Sequence, residues 1–149
     1  MTIGSICNHE VITVQREATI HHVASLMRQY HVGDVVVIEN RKDKTVPIGI
    51  VTDRDLVIEV VATELDCKVI TAGDIMEHGL TVVKESAGVF EGIQIMTNKG
   101  VRRLPVVDDS GSLIGVVTLD DLLQLLAKEF GALGKLVARE QKNEASKRR

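Results

Sequence analysis

The chain has 149 residues, a formal net charge of −3, 44% hydrophobic and 26% charged residues, which is the balance of a soluble globular protein and not of a disordered one. Its weakly acidic charge gives no global attraction to nucleic acid or anionic membrane, and one Tyr, two Phe and no Trp leave none of the stacking platforms of single-strand binders. Cys7 and Cys67 are too few and too scattered for a disulfide framework, no run of about 18 apolar residues occurs, and Met1 to Glu10 does not read as a secretory leader, so the expected location is the cytoplasm.

Val11-Ile12-Thr13-Val14 is a β-branched run and predicts a strand. Thr19 is placed to cap a helix through about Tyr30, with Ile20, Val23, Ala24 and Met27 at helical spacing. His21 and His22 are adjacent on that helix, about 100° apart, and make a poor chelating pair. No metal site is expected. Val35-Val36-Val37-Ile38 is continuously β-branched and suits a strand buried on both faces. A polar turn leads to Val46-Pro47-Ile48-Gly49-Ile50-Val51, its hairpin partner. Pro47 donates no ladder hydrogen bond and belongs at a strand start or on an edge. Thr52 caps a helix through about Thr63, with Asp53 and Asp55 in its first turn. Asp66 to Asp74 is a connection, with Gly73 as its break.

The order then recurs. Thr81-Val82-Val83 is a strand, Val89 to Asn98 a helix, Leu104 to Val107 and Leu113 to Val117 strands. Thr118 opens a last helix through about Glu140, weakened at Gly131 and Gly134. Its apolar residues past Phe130 exceed what one domain needs and pack either within the molecule or on a partner subunit. Lys142 to Arg149 is basic and polar, and is expected to be a disordered, solubilising tail.

The two halves align residue by residue. Ile6 falls on Ile75, His9 on His78, Val14 on Val83, Met27 on Met96 and Val37 on Val106, always 69 residues apart. Further on, Gly49 falls on Gly115, Thr52 on Thr118, Asp55 on Asp121 and Leu56 on Leu122, now 66 apart. The longer polar turn at 39–44, against 108–111, accounts for the change. Each copy therefore reads β-α-β-β-α, too small to close a core alone.

Gly49-Ile50-Val51-Thr52-Asp53-Arg54-Asp55-Leu56 and Gly115-Val116-Val117-Thr118-Leu119-Asp120-Asp121-Leu122 carry the chemistry. Each is a strand that turns straight into a helix at a Thr. Such a turn offers free N–H groups and a positive dipole end. Asp55 and Asp121 can accept from the two hydroxyls of a ribose, and Ile50 and Val116 can wall a purine. Taken singly, Thr-x-x-Asp is also a plain capping box. Its recurrence after a Gly-started strand in both halves favours a site. No nucleophile–base set and no Walker or dinucleotide fingerprint is present, so no catalytic residue is expected.

These two motifs, with Gly100-Val101-Arg102-Arg103-Leu104-Pro105-Val106-Val107-Asp108, resemble the CBS domain, and the tandem resembles a CBS pair or Bateman module over about residues 4 to 127. The resemblance implies an α/β (α+β) fold of two β-α-β-β-α units packed sheet to sheet with pseudo-two-fold symmetry. It divides the chain into unit 1 (1–65), a linker (66–73), unit 2 (74–130) and a helix end with basic tail (131–149). It also implies two clefts for adenosyl compounds such as AMP, ADP, ATP or S-adenosylmethionine, and pairing into a homodimer. Asp55 and Asp121 would hold the ribose, with Thr52 and Thr118 beside them, and Arg102 and Arg103 would face phosphate. The first copy has Gly33 and Asp34 at the arginine positions, which makes the clefts unequal; Arg54 is the expected compensation. Two functions follow as expectations: a regulatory sensor that signals in trans to an effector protein, or a constitutive dimerisation scaffold with vestigial clefts.

Overall fold

The computed structural model describes residues 1–148. Unit 1 runs α1 (Ile3–Ile6), β1 (Thr13–Gln15), α2 (Ile20–Tyr30), β2 (Asp34–Arg41), β3 (Lys44–Thr52) and α3 (Asp53–Asp55), which continues as a π-helical turn over Leu56–Val61. Unit 2 runs α4 (Ala72–Ile75), β4 (Val83–Lys84), α5 (Val89–Lys99), β5 (Arg103–Val107), β6 (Leu113–Thr118) and α6 (Leu119–Lys147). Each unit has a three-stranded sheet, ordered β1-β2-β3 and β4-β5-β6. The first pair of each sheet is parallel and the second an antiparallel hairpin.

The predicted β-α-β-β-α order holds in each unit with small shifts at the ends, and each is preceded by a short helix, α1 or α4, that was not predicted. Thr19 caps α2, its hydroxyl accepting from His22 N–H at 3.2 Å. Val35, Val36 and Val37 are all fully buried, as a strand covered on both faces requires. Pro47 sits on edge strand β3, opposite Ile38, where the register slips by a bulge. A missing N–H costs least at that spot.

The cores exchange segments. Ile3 and Cys7 of the first copy lie in the core of unit 2, among Val83, Met96, Leu104, Val106, Val117 and Leu122. Ala72 and Met76 of the second copy lie in the core of unit 1, among Val14, Val23, Val35, Val37 and Val51. The backbone follows the same reciprocity. Ile3 N–H donates to Ala87 O at 2.8 Å and Gly4 N–H to Glu85 O at 2.9 Å; Ala72 N–H donates to Ala18 O at 2.8 Å and Gly73 N–H to Arg16 O at 2.9 Å. Gly73 is therefore no break. It lies inside α4, and a Cβ there would stand 3.1 Å from Arg16 O. The exchange explains why neither copy needs to close a core alone.

Burial also decides the state of the thiols. Desolvation pushes the Cys7 thiol above its usual range, opposed by a backbone hydrogen bond, with Asp121 and Glu85 adding to the rise. A raised folded value means that Cys7's contribution to stability is complete below about pH 8.5, the pKa of an exposed thiol, and is lost as pH rises through the higher folded value. Cys67 is only half-buried. A thiol reagent at pH 7.5 is expected to modify Cys67 within minutes and Cys7 only as the protein unfolds. Equal rates at both, read by peptide mass mapping, would contradict the burial of Cys7.

α6 is longer than the sequence reading allowed. It spans Leu119–Lys147, 29 residues and about 43 Å, so the stretch from Lys142 is helical and not disordered. Gly131 and Gly134 each cost about 1 kcal/mol against Ala. The Ala, Leu, Lys, Glu and Gln around them are strong helix formers, and an i,i+4 pair, Arg148 with Glu144 at 2.6 Å, closes the end. Arg149 lies outside the described residues. No helix among those described is long and apolar enough to cross a membrane.

Candidate functional site

Thr52 and Thr118 each end a strand and cap the next helix. Thr52 Oγ1 accepts from Asp55 N–H at 3.2 Å, and Asp55 Oδ2 accepts from Thr52 N–H at 2.9 Å. Thr118 and Asp121 repeat both distances. The capping box is thus real in both units. It uses one carboxylate oxygen of each Asp. The Oδ1 atoms take no hydrogen bond from the described residues and remain available to a ligand.

The turns do not offer free N–H groups in the expected way. At α3, Asp53 N–H donates to Gly33 O at 3.0 Å, Arg54 N–H to Asp53 Oδ1 at 2.8 Å, and Asp55 N–H to Thr52. At α6, Leu119 N–H donates to Arg102 O at 2.8 Å.

Two clefts lie where the units meet, and each is built from both. The first, of about 500 Å³, sets Ile50, Thr52 and Asp55 of unit 1 against Glu77, Gly79, Leu80, Thr81, Lys99, Arg102 and Arg103 of unit 2. The second, of about 220 Å³, sets Val116, Thr118 and Asp121 of unit 2 against Asn8, Glu10, Val11, Ile12, Gly33 and Asp34 of unit 1. This crossing corrects the expected division of charge. Arg102 and Arg103 line the cleft of the first motif, not that of their own unit's, although Arg103 pairs in register with Thr118. Arg54 lines neither cleft, so it does not compensate for Asp34. Lys99, the last residue of α5, joins the basic group and was missed by sequence reasoning. Its place just before Gly100, whose φ of +65° ends the helix, was the available signal.

The clefts differ in width for a backbone reason. Asn8 and Val116 exchange two hydrogen bonds of 2.9 Å, which draws the crossing segment onto β6 and narrows the second cleft. Among the described residues no such pair joins Glu77 to Ile50. The motif glycines belong to the same contact. A Cβ on Gly115 would lie 2.7 Å from Cys7 Sγ and 2.8 Å from Asn8 O, and one on Gly49 would lie 2.6 Å from Met76 Sδ. Gly begins both motifs because the exchanged segment passes directly over it.

The charges differ too. The first cleft carries Lys99, Arg102 and Arg103 against Asp55 and Glu77. The second carries Glu10, Asp34 and Asp121 with no Lys or Arg. Arg102 is mostly exposed and only loosely paired, 3.9 Å from Asp120. Arg103 is held, its Nε donating to Asp34 Oδ2 at 2.7 Å. No group of three His, Cys, Asp or Glu among the described residues is arranged to hold a metal ion.

The CBS domain family matches residues 3–62 and again 72–128. The chain is 42% identical over 125 residues to an uncharacterized protein of Methanopyrus kandleri, covering 84% of this chain and 62% of that one, less than two thirds of the relative's length. It is 31% identical to Hypoxic response protein 1 of Mycobacterium tuberculosis, whose crystal structure contains two coordinated zinc ions; the likeness has a TM-score of 0.72 and covers 83% of this chain and 98% of that one. The CBS domain pair of protein MJ0100, solved with 5′-methylthioadenosine and S-adenosyl-L-methionine, shares the fold at a TM-score of 0.75 and 20% identity, over 87% of this chain and 98% of that one. With both repeats matched and the pair architecture shared, the chain belongs to the CBS-domain family, as a tandem pair of CBS domains.

Proposed function

We propose that this chain is a regulatory ligand sensor whose first cleft binds an adenosyl compound bearing phosphate, of the AMP, ADP or ATP type, and that the bound state is passed in trans to an effector protein. One observation carries the reading: the first cleft sets the Thr52–Asp55 hydroxyl and carboxylate of one unit against Lys99, Arg102 and Arg103 of the other. Asp55 Oδ1 then accepts from the ribose, Ile50 faces the base, and the basic trio meets phosphate. At about 500 Å³ the cleft is of ordinary ligand-binding size. The second cleft, with Val116, Thr118 and Asp121, holds the adenosyl group alone. The adenosyl ligands bound to the pair of protein MJ0100 support the same ligand class. These are recognition groups, and the chain acts as a regulator rather than as an enzyme. Phe130, Leu133, Leu136 and Val137 form an exposed apolar seam on α6, which supports a homodimer through that helix.

A thermal-shift panel with AMP, ADP, ATP and S-adenosylmethionine tests this. A ligand at a hundred times its Kd adds about 2.7 kcal/mol, or roughly 5–10 °C for a chain of this size. Asp55→Ala is expected to cost about 1 kcal/mol through the lost cap and to abolish the nucleotide shift. Asp74→Ala is the control. Its carboxylate accepts from Thr71 N–H at 2.9 Å in a similar turn at α4, away from both clefts. That variant should lose similar stability and keep the shift. No shift with any compound would leave the dimerisation scaffold, resting on the α6 seam, as the better reading.

A further inference from the structure

Asp34 and Arg103 are equivalent positions of the repeat, 69 residues apart, and they bind each other across the pseudo-dyad. Theirs is the only ion pair between the units among the described residues, and it is mostly buried, with side chains 22% and 31% exposed. Arg103 lines the first cleft and Asp34 lines the second. One ion pair is therefore shared by two binding sites. A phosphate in the first cleft competes with Asp34 for Arg103. Whatever it takes, the second cleft loses as neutralisation, and that cleft already holds Glu10 and Asp121 with no cation of its own.

We propose that the Asp34–Arg103 pair couples the clefts by charge. A phosphate-bearing ligand in the first cleft draws Arg103 away, and the second cleft, with Asp34 released beside Asp121, then takes a cationic adenosyl compound. This rests on the reading that the clefts bind adenosyl groups. The coupling is reciprocal, as linkage requires: a cation that occupies Asp34 frees Arg103 for phosphate. Two phosphorylated ligands, by the same logic, oppose each other. Exposed Asn8 and Glu10 also line the second cleft, so Glu10 adds a solvent-facing carboxylate to it.

The test is calorimetric titration of AMP into the full chain, alone and saturated with S-adenosylmethionine. S-adenosylmethionine is expected to tighten AMP binding about fivefold or more, within the usual range of coupling between sites. 5′-Methylthioadenosine, the same adenosyl group without the sulfonium charge, is expected to leave AMP affinity unchanged. This contrast is read on the unaltered protein and does not depend on any variant folding. Asp34→Asn is expected to tighten AMP by itself and to remove the response to S-adenosylmethionine. If both ligands bind, one each per chain, and AMP affinity is the same with and without S-adenosylmethionine, the coupling is overturned while the adenosyl reading stands. Mutual exclusion of the two at a single site also overturns it. If neither ligand binds, the adenosyl reading fails and the coupling fails with it.

Discussion

Gly115→Ala is expected to lower stability by about 2–4 kcal/mol, a fall in Tm of roughly 5–15 °C in a thermal melt. The new Cβ would stand 2.8 Å from Asn8 O and 2.7 Å from Cys7 Sγ. Overpacking of this kind costs about 1–3 kcal/mol. The backbone oxygen can withdraw only by breaking the two Asn8–Val116 hydrogen bonds, worth about 1 kcal/mol each. For Gly49→Ala the nearest atoms all belong to the Met76 side chain, whose Sδ, Cβ and Cγ lie within 3.1 Å. Methionine is flexible and gives way, so the loss there should be smaller. Adding Cys7→Ala to Gly115→Ala should recover only the part due to the sulfur. Gly131→Ala, with nothing within 4 Å on exposed α6, should leave the melt unchanged or raise it slightly. A Gly115→Ala protein that melts like the parent would show that the crossing segment does not restrict this position.

That crossing segment is also where the sequence was hardest to read. The repeat, the strand order and both Thr caps were visible, because period, β-branching and capping chemistry are local properties. Pro47 announced an edge strand for the same reason. The exchange of Ile3 and Cys7 for Ala72 and Met76 was not legible. Four residues of weak helix carry no sign of which core they enter, and Gly73 looked like a break when it was a close approach to Arg16. The site was legible by halves. Ile50, Thr52 and Asp55 do line one cleft, and Val116, Thr118 and Asp121 the other. Which arginine belongs to which cleft depends on how two sheets meet, and no spacing within one unit encodes that. Arg54 was expected to compensate for Asp34 but lines neither cleft, while Lys99 stands with Arg102 and Arg103 in the first. The length of α6 was underestimated because two glycines and a basic end weighed more in the reading than the strong helix formers around them.

Exchanging the two charges on the pseudo-dyad, Asp34→Arg together with Arg103→Asp, is expected to preserve the fold and cost the first cleft its phosphate. The ion pair survives with its polarity reversed, so the melt should change by about 1 kcal/mol or less. Arg103→Asp alone should be worse for the fold, because it sets a second carboxylate against Asp34 where both side chains are mostly buried, at a cost of about 1–3 kcal/mol. Binding should follow a different order. In both proteins Arg103 is gone from the first cleft, and with it one charge-assisted bond of about 1.5–3 kcal/mol. AMP, ADP and ATP should therefore weaken by about tenfold to a hundredfold in the double variant, while uncharged adenosine, measured alongside, should change by less than about threefold. The second cleft, now carrying a guanidinium in place of the Asp34 carboxylate, should lose any preference for S-adenosylmethionine over 5′-methylthioadenosine. A double variant that melts like the parent yet binds AMP equally well would place the phosphate elsewhere. One that binds normally but unfolds readily would confine Arg103 to holding the two units together. The two measurements separate because stability should respond to whether the two charges are opposite, and affinity to which cleft holds the cation.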